Sequence, residues 1–175
     1  MTAESLSTKS TATKQDFAIA RIIDAPRTLV FKAWTEAARV KEWWGPECFT
    51  CPVCEIDLRV GGAYRFVMRS PEGVDYAMTG VYRKIDEPKE LVFTDVCDEH
   101  PADWHEVVNR NRPNAKGNLK GMVTTVTFEE ESNKTNLTVK MHFDSIEDHD
   151  ALVKIGMADG WSQTLDKLQD YIANA

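Results

Sequence analysis

From Cys51 onward the chain changes its apolar period once, late, and does not change back. From Cys51 to Phe143 apolar residues recur at every second position in short runs separated by turn residues; from residue 146 onward they recur every three or four positions. Period two marks half-buried strands and a period of 3.6 marks an amphipathic helix. Such a chain has to bury one face of a sheet against one long helix, because neither surface can stay in water alone. Within the period-two region, Cys54, Ile56 and Leu58 alternate with Glu55, Asp57 and Arg59. Gly61-Gly62 then turns the chain, and Tyr64, Phe66 and Met68 alternate with Arg65 and Arg69. Tyr76, Met78, Gly80 and Tyr82 follow, then Leu91 to Phe93, Val123 to Phe128 and Leu137 to Phe143. Neighbouring strands joined by tight turns predict an antiparallel sheet of about six strands from this region.

Before that region, Phe17, Ile19 and Ile23 predict a first strand. Pro26 suits a first helical turn, where its missing N–H is not needed. Leu29, Val30, Ala33 and Trp34 continue at helical spacing, and Glu36 to Trp44 reads as a second short helix stopped by Gly45-Pro46. At the other end, Ser145-Ile-Glu-Asp148 is a capping-box pattern. Trp161, Leu165, Leu168 and Ile172 then share one helical face. Unbroken, residues 146 to 173 would span about 42 Å. Gly156 and Gly160 interrupt this stretch, which predicts a bend or a close contact there. The resulting fold class is α+β: a curled antiparallel sheet gripping a long C-terminal helix, with two short helices after the first strand.

Residues 1–15 hold seven Ser or Thr, no apolar core of a secretory signal, and read as a disordered tail. Residues 16–175 are expected to form one domain, interrupted by a long polar loop at 97–120 containing Pro101, Asn109, Asn111, Pro113 and Gly117. Trp104, Val107 and Val108 suggest a short helix inside it. A loop of this length is either a lid over an entrance or surface decoration. No apolar stretch is long enough to span a membrane as a helix. A formal charge of −7 argues against a partner that tracks nucleic-acid phosphates. The expected location is the cytoplasm.

Cys48, Cys51 and Cys54 are spaced like half of a metal site, but they fall at the start of a strand. In regular extended backbone Cys51 and Cys54 would sit about 10 Å apart on opposite faces. They are therefore expected to be structural, as is Cys97, and no metal or other cofactor is expected. Asn133 and Asn136 head glycosylation patterns that have no meaning without secretion. No Gly-x-Ser-x-Gly, His-Glu-x-x-His, Walker-type loop or Gly-x-Gly-x-x-Gly occurs, so no catalytic residues are assigned. His142 is expected to face solvent and His149 to lie on the surface. Glu36 and Asp95 are the acids that could work at a cavity mouth.

Several stretches together resemble a known family. They are Asp24-Ala-Pro-Arg-Thr-Leu-Val-Phe-Lys-Ala-Trp34, Trp43-Trp44-Gly45-Pro46, Cys54-Glu-Ile-Asp-Leu-Arg-Val-Gly-Gly62 and Tyr64-Arg-Phe-Val-Met-Arg-Ser-Pro71. They continue with Gly80-Val-Tyr-Arg83, Leu91-Val-Phe-Thr-Asp95, Thr124-Thr-Val-Thr-Phe128 and Gly156-Met-Ala-Asp-Gly-Trp161 with Leu165. In this order over residues 16 to 173 the chain resembles the START-like (helix-grip, SRPBCC) superfamily. Within it, the resemblance is to proteins similar to the C-terminal domain of the activator of the heat shock protein 90 ATPase. Two departures stand out: Val60 replaces the usual Pro before Gly61-Gly62, and the 97–120 loop is longer than the usual connection. The co-chaperone resembled carries an additional N-terminal domain, so the resemblance does not imply chaperone activation here.

The resemblance implies a cavity between sheet and helix, and superfamily members hold lipids, sterols, polyketides or other hydrophobic small molecules. The inward candidates to line it are Trp34, Trp44, Phe66, Met68, Met78, Tyr82, Phe93, Met141, Phe143, Met157, Trp161 and Leu165. The same side chains would otherwise be plain core. Asp57 and Arg59 are candidate polar anchors, or else an exposed ion pair. Three functions follow. The first is binding of a hydrophobic or aromatic small molecule. The second is an enzyme of cyclase or hydrolase type using the same cavity. The third is a protein-interaction module, with a protein partner possible but not implied by the residues.

Overall fold

The computed structural model describes residues 15–175. The expected tail lies outside the described residues except for Gln15, whose side-chain amide donates to the carbonyls of Phe143 and Asp144. The elements in order are β1 (Asp16–Ile23), α1 (Arg27–Thr35), α2 (Ala37–Trp43), β2 (Thr50–Ile56), β3 (Ala63–Arg69), β4 (Asp75–Asp86), β5 (Glu90–Asp95), α3 (Ala102–Arg110), β6 (Met122–Glu131), β7 (Lys134–His142), α4 (Ile146–Lys154) and α5 (Met157–Ala173).

The seven strands form one sheet in the order β1-β7-β6-β5-β4-β3-β2, and every neighbouring pair is antiparallel. Consecutive strands from β2 to β7 are spatial neighbours; four of these connections are short, and β5 reaches β6 through the long 97–120 segment. β1 breaks that local pattern by pairing with β7. The alternation of buried and exposed residues along β6 and β7 is the period-two pattern of the sequence made physical.

α5 lies over the inner face and is in contact with β1, α1 and α2. Leu165, Leu168 and Ile172 carry its buried face. The long helix expected from 146 to 173 is divided in two. α4 starts at Ser145, whose hydroxyl accepts from the Asp148 N–H, and gives way to Ile155 and Gly156. Gly156 has φ of 102°, in the left-handed region that L side chains avoid, with open space where a Cβ would stand. The break is therefore a backbone requirement at Gly156. A Cβ added at Gly160 would meet only Pro46 Cγ, at 3.9 Å, so no close approach requires glycine there.

Two clusters fill the interior. The larger joins α1, α2 and α5 to the middle of the sheet through Phe31, Trp34, Trp43, Tyr64, Phe66 and Leu165. The smaller joins α4 and the 97–120 segment to the ends of β6 and β7 through Val108, Leu119, Met122, Met141, Phe143 and Leu152. Met78 and Trp161 pack against both. The 97–120 segment is thus a built wall rather than decoration. Its buried Arg112 pairs with buried Asp148 of α4 at 2.6 Å and also donates to Asn109 and to the Gly117 carbonyl.

β2 carries a register shift between Thr50 and Val53. One extra residue in an extended pair reverses the alternation beyond it. This overturns the expectation that Cys51 and Cys54 lie on opposite faces. Their thiols meet on the inner side, where a hydrogen bond from Cys54 lowers the pKa of Cys51 and the same bond, with burial, raises that of Cys54. Cys48 is exposed. Among the described residues no group of three or more His, Cys, Asp or Glu is arranged to hold a metal ion.

Candidate functional site

Where the two clusters meet, the sheet and helices do not close completely. A cavity of about 350 Å³ remains, within the size range of small-molecule sites. Its floor is the inner face of β3 to β7. Met68, Tyr76, Met78, Met122 and Met141 reach it because they sit at alternating positions on those strands. Its roof is the junction of α4 and α5, with Leu152, Ile155, Met157, Trp161 and Thr164. The turn after α2 adds Trp44, Pro46 and Phe49 at one side, and the 97–120 segment adds His100 and Trp104 at the other. Lys167 ties that turn to α5 by donating to the carbonyls of Pro46 and Phe49.

Sulfur dominates the wall. Of six methionines, Met1 lies outside the described residues, and the other five all line this one cavity. Cys97 adds a thiol, 3.7 Å from the Met78 thioether. Trp161 donates its indole N–H to the Met141 sulfur at 3.2 Å. Trp161 also stands edge-on to Trp44 and parallel to Trp34. Thioethers are soft and unbranched, so such a wall adapts to the shape it meets.

One carboxyl faces this space. Asp95 ends β5 and is 3% exposed. Its Oδ1 is hydrogen-bonded to the Tyr64 hydroxyl and its Oδ2 to the Thr124 hydroxyl. Tyr64 also lies 2.7 Å from the Thr94 carbonyl. The arrangement depends on Gly80, because a Cβ there would stand 1.8 Å from the Thr94 oxygen and 2.7 Å from the Tyr64 ring. Burial raises the Asp95 pKa from 3.8 to about 6, against the lowering effect of the Thr124 and Tyr64 hydrogen bonds. Burial likewise raises Tyr64 and Cys97, so both stay protonated at neutral pH. His100 is lowered to about 4 by burial and is neutral. Its Nδ1 lies 3.0 Å from the Ala77 carbonyl, which can only accept, so Nδ1 carries the ring proton.

The twelve inward candidates divide evenly between lining and filling. Trp44, Met68, Met78, Met141, Met157 and Trp161 line the cavity. Trp34, Phe66, Tyr82, Phe93, Phe143 and Leu165 are packed core beside it. Asp57 and Arg59 do not share a strand face at the cavity. They follow β2 in the turn toward β3, both exposed, and pair with each other at 2.9 Å. Glu36 is at the α1–α2 junction, bonded to Arg39. His142 is half exposed beside Asp16, and His149 bonds Asp150. Met122, Tyr76 and His100 had no place among the candidates. Strand alternation alone puts Tyr76 on this side, two residues before Met78 on the same strand face.

Residues 24–173 match the family described as activator of Hsp90 ATPase homolog 1-like protein. The chain belongs to this family. A comparison with curated proteins finds no match. Among solved structures it is similar to a protein from Nitrosomonas europaea (22% identity, 93% of this chain and 97% of that one, TM-score 0.76). A second, from Rhodobacter sphaeroides, shares 18% identity over 94% and 97% of the two chains, with a TM-score of 0.77. The AHSA1 protein from Silicibacter pomeroyi shares 22% identity over 90% and 97%, with a TM-score of 0.68. These likenesses show the helix-grip fold alone. No helix among the described residues is long and apolar enough to cross a membrane.

Proposed function

We propose that this family member binds a small apolar or aromatic molecule in the cavity between the sheet and the α4–α5 junction. The observation that carries this reading is the convergence of all five described methionines on one space. A tight core is better built from Leu, Ile, Val and Phe, whose rotamers are well defined. Five flexible thioethers in one place, beside the indoles of Trp44, Trp104 and Trp161, suit a wall that repacks around a guest. Burial of the guest's apolar surface supplies the affinity, at roughly 25 cal/mol per Å² before the cost of immobilising it.

The test is calorimetric titration with a neutral bicyclic probe, 2-(1-naphthyl)ethanol, on the protein and on a Leu152→Trp variant that fills the roof. Saturable binding to the first and loss of it in the second, with the circular dichroism spectrum retained, is the expected result. Equal binding to both, or binding to neither, overturns the proposal.

A further inference from the structure

The cavity wall is electrically one-sided. Among the described residues no Lys or Arg lines it; the ionisable lining residues are Asp95, Cys97, His100 and Tyr76. Cys97 is held protonated and His100 neutral at physiological pH. The remaining polar character comes from electron-rich groups: thioether sulfurs and the faces of Trp44, Trp104, Trp161, Phe49 and Tyr76. Aromatic faces attract cations through their quadrupole. Asp95 is buried, faces this space, and its described side-chain partners are neutral hydroxyl donors, those of Tyr64 and Thr124. Among the described residues it has no ion-pair partner, whereas the other strongly buried carboxylate on this side, Asp148, has Arg112. A buried carboxylate without a counter-charge is costly. Each of its oxygens has a single hydroxyl partner among the described residues, which leaves lone-pair capacity unused on a carboxyl that lines the cavity.

We propose that the guest is a compact aromatic or apolar molecule bearing one protonated amine, and that Asp95 is the residue that receives the ammonium group while the indole and thioether wall surrounds it. This rests on the cavity-binding reading above and names its ligand class. The ammonium supplies the counter-charge that the fold leaves out, and the apolar body fills the sulfur-lined space. A carboxylate-bearing guest, such as a fatty acid, meets a like charge and no cation, so the site selects against it. A neutral alcohol can donate to Asp95 but leaves the charge uncompensated. Charge-assisted hydrogen bonds exceed neutral ones in strength, so the amine is expected to bind roughly tenfold or more tightly than its alcohol counterpart.

The test compares three naphthyl probes with the same two-carbon linker by calorimetry at pH 8: 2-(1-naphthyl)ethylamine, 2-(1-naphthyl)ethanol and 3-(1-naphthyl)propionate. The expected order is amine, then alcohol, then carboxylate. Asp95→Asn is expected to bring the amine-to-alcohol ratio close to one. A second measurement does not depend on that variant folding. In the unaltered protein the ratio is expected to shrink between pH 8 and pH 5, as Asp95 takes up a proton. The groups facing Asp95 are Tyr64 from β3, Tyr82 from β4, Thr124 from β6, and Cys97 after β5. His100 lines the same cavity and, with its pKa near 4, keeps its charge state over this range. Alcohol binding as tight as the amine, carboxylate binding as tight as either, or a ratio unaffected by both Asp95→Asn and pH overturns the inference while leaving a binding cavity. Failure of all three probes overturns the cavity reading and this inference together.

Discussion

Arg112→Met tests what holds the 97–120 segment against α4. Arg112 and Asp148 have side chains 3% and 4% exposed, and their contact is 2.6 Å. Arg112 further donates to Asn109 Oδ1 at 2.7 Å and to the Gly117 carbonyl at 3.1 Å. Methionine keeps most of the aliphatic stem and removes all three donations. Asp148 is then left buried without its cation. Removing one partner of a buried pair costs about 3–5 kcal/mol. A domain of this size has a total stability of about 5–15 kcal/mol, so the loss is a large share. With a urea slope of about 2 kcal/mol per molar, the unfolding midpoint should fall by roughly 1.5–2.5 M. The double variant Arg112→Met/Asp148→Leu removes both charges. It should recover to within about 1 kcal/mol of the parent, because the isolated carboxylate, rather than the missing attraction, causes most of the loss. The double variant also gives up a favourable acidic residue in the first turn of α4, worth about 0.5 kcal/mol. A single variant losing less than about 1 kcal/mol, or a double no better than the single, would refute the argument that a desolvated ion pair pins this segment.

Three further outcomes are expected. Gly80→Ala should destabilise by about 3 kcal/mol, since its Cβ would collide with the Thr94 carbonyl and the Tyr64 ring; Gly156→Ala, strained in backbone but unobstructed, should lose only about 1–2 kcal/mol, and urea unfolding of the pair distinguishes them. For Asp95, the folded pKa of about 6 against 3.8 means that its contribution to stability is fully present below about pH 4 and is lost as pH rises through 6. Asp95→Asn, which cannot ionise, should therefore gain on the parent between pH 4.5 and pH 8 by up to about 3 kcal/mol; a difference that stays flat across that range would contradict the burial argument. Titration of the native protein with a thiol-reactive dye should show one fast thiol, the exposed Cys48, and all four only after denaturation.

The element types were legible in the sequence because each rests on repetition. Val126, Phe128, Leu137, Val139 and Met141 all point inward as their alternation requires. What alternation cannot give is depth. Phe143 and Met141 belong to the same inward face, yet Phe143 is sealed and Met141 borders a void. The difference comes from α4 and the 97–120 segment, which close over one and stop short of the other. Single-residue irregularities were equally invisible. The bulge before Val53 reverses the alternation and brings Cys51 to the side of Cys54. β2 ends at Ile56, so Asp57 and Arg59 leave the sheet face on which an anchor was expected. Gly156 and Gly160 looked equivalent in a helical pattern, and only backbone φ marks Gly156 as the break. Asp95 was legible as an acid at a strand end, but its meeting with Tyr64 and Thr124 depends on the register of four strands, β3 to β6.

The pairing of β1 with β7 has a consequence for synthesis on the ribosome. Asp16 pairs with His142 and Ile23 with Thr135, so the first strand made waits for more than a hundred further residues before its partner exists. At about 5–20 residues per second that delay is on the order of ten seconds. Throughout it, the β1 backbone has no sheet partner, while β2 to β5 can already pair with one another in the order they emerge. The nascent chain therefore carries β1 without its partner while residues 24 to 134 are added, and joining β1 to β7 is the late, long-range step that completes the sheet.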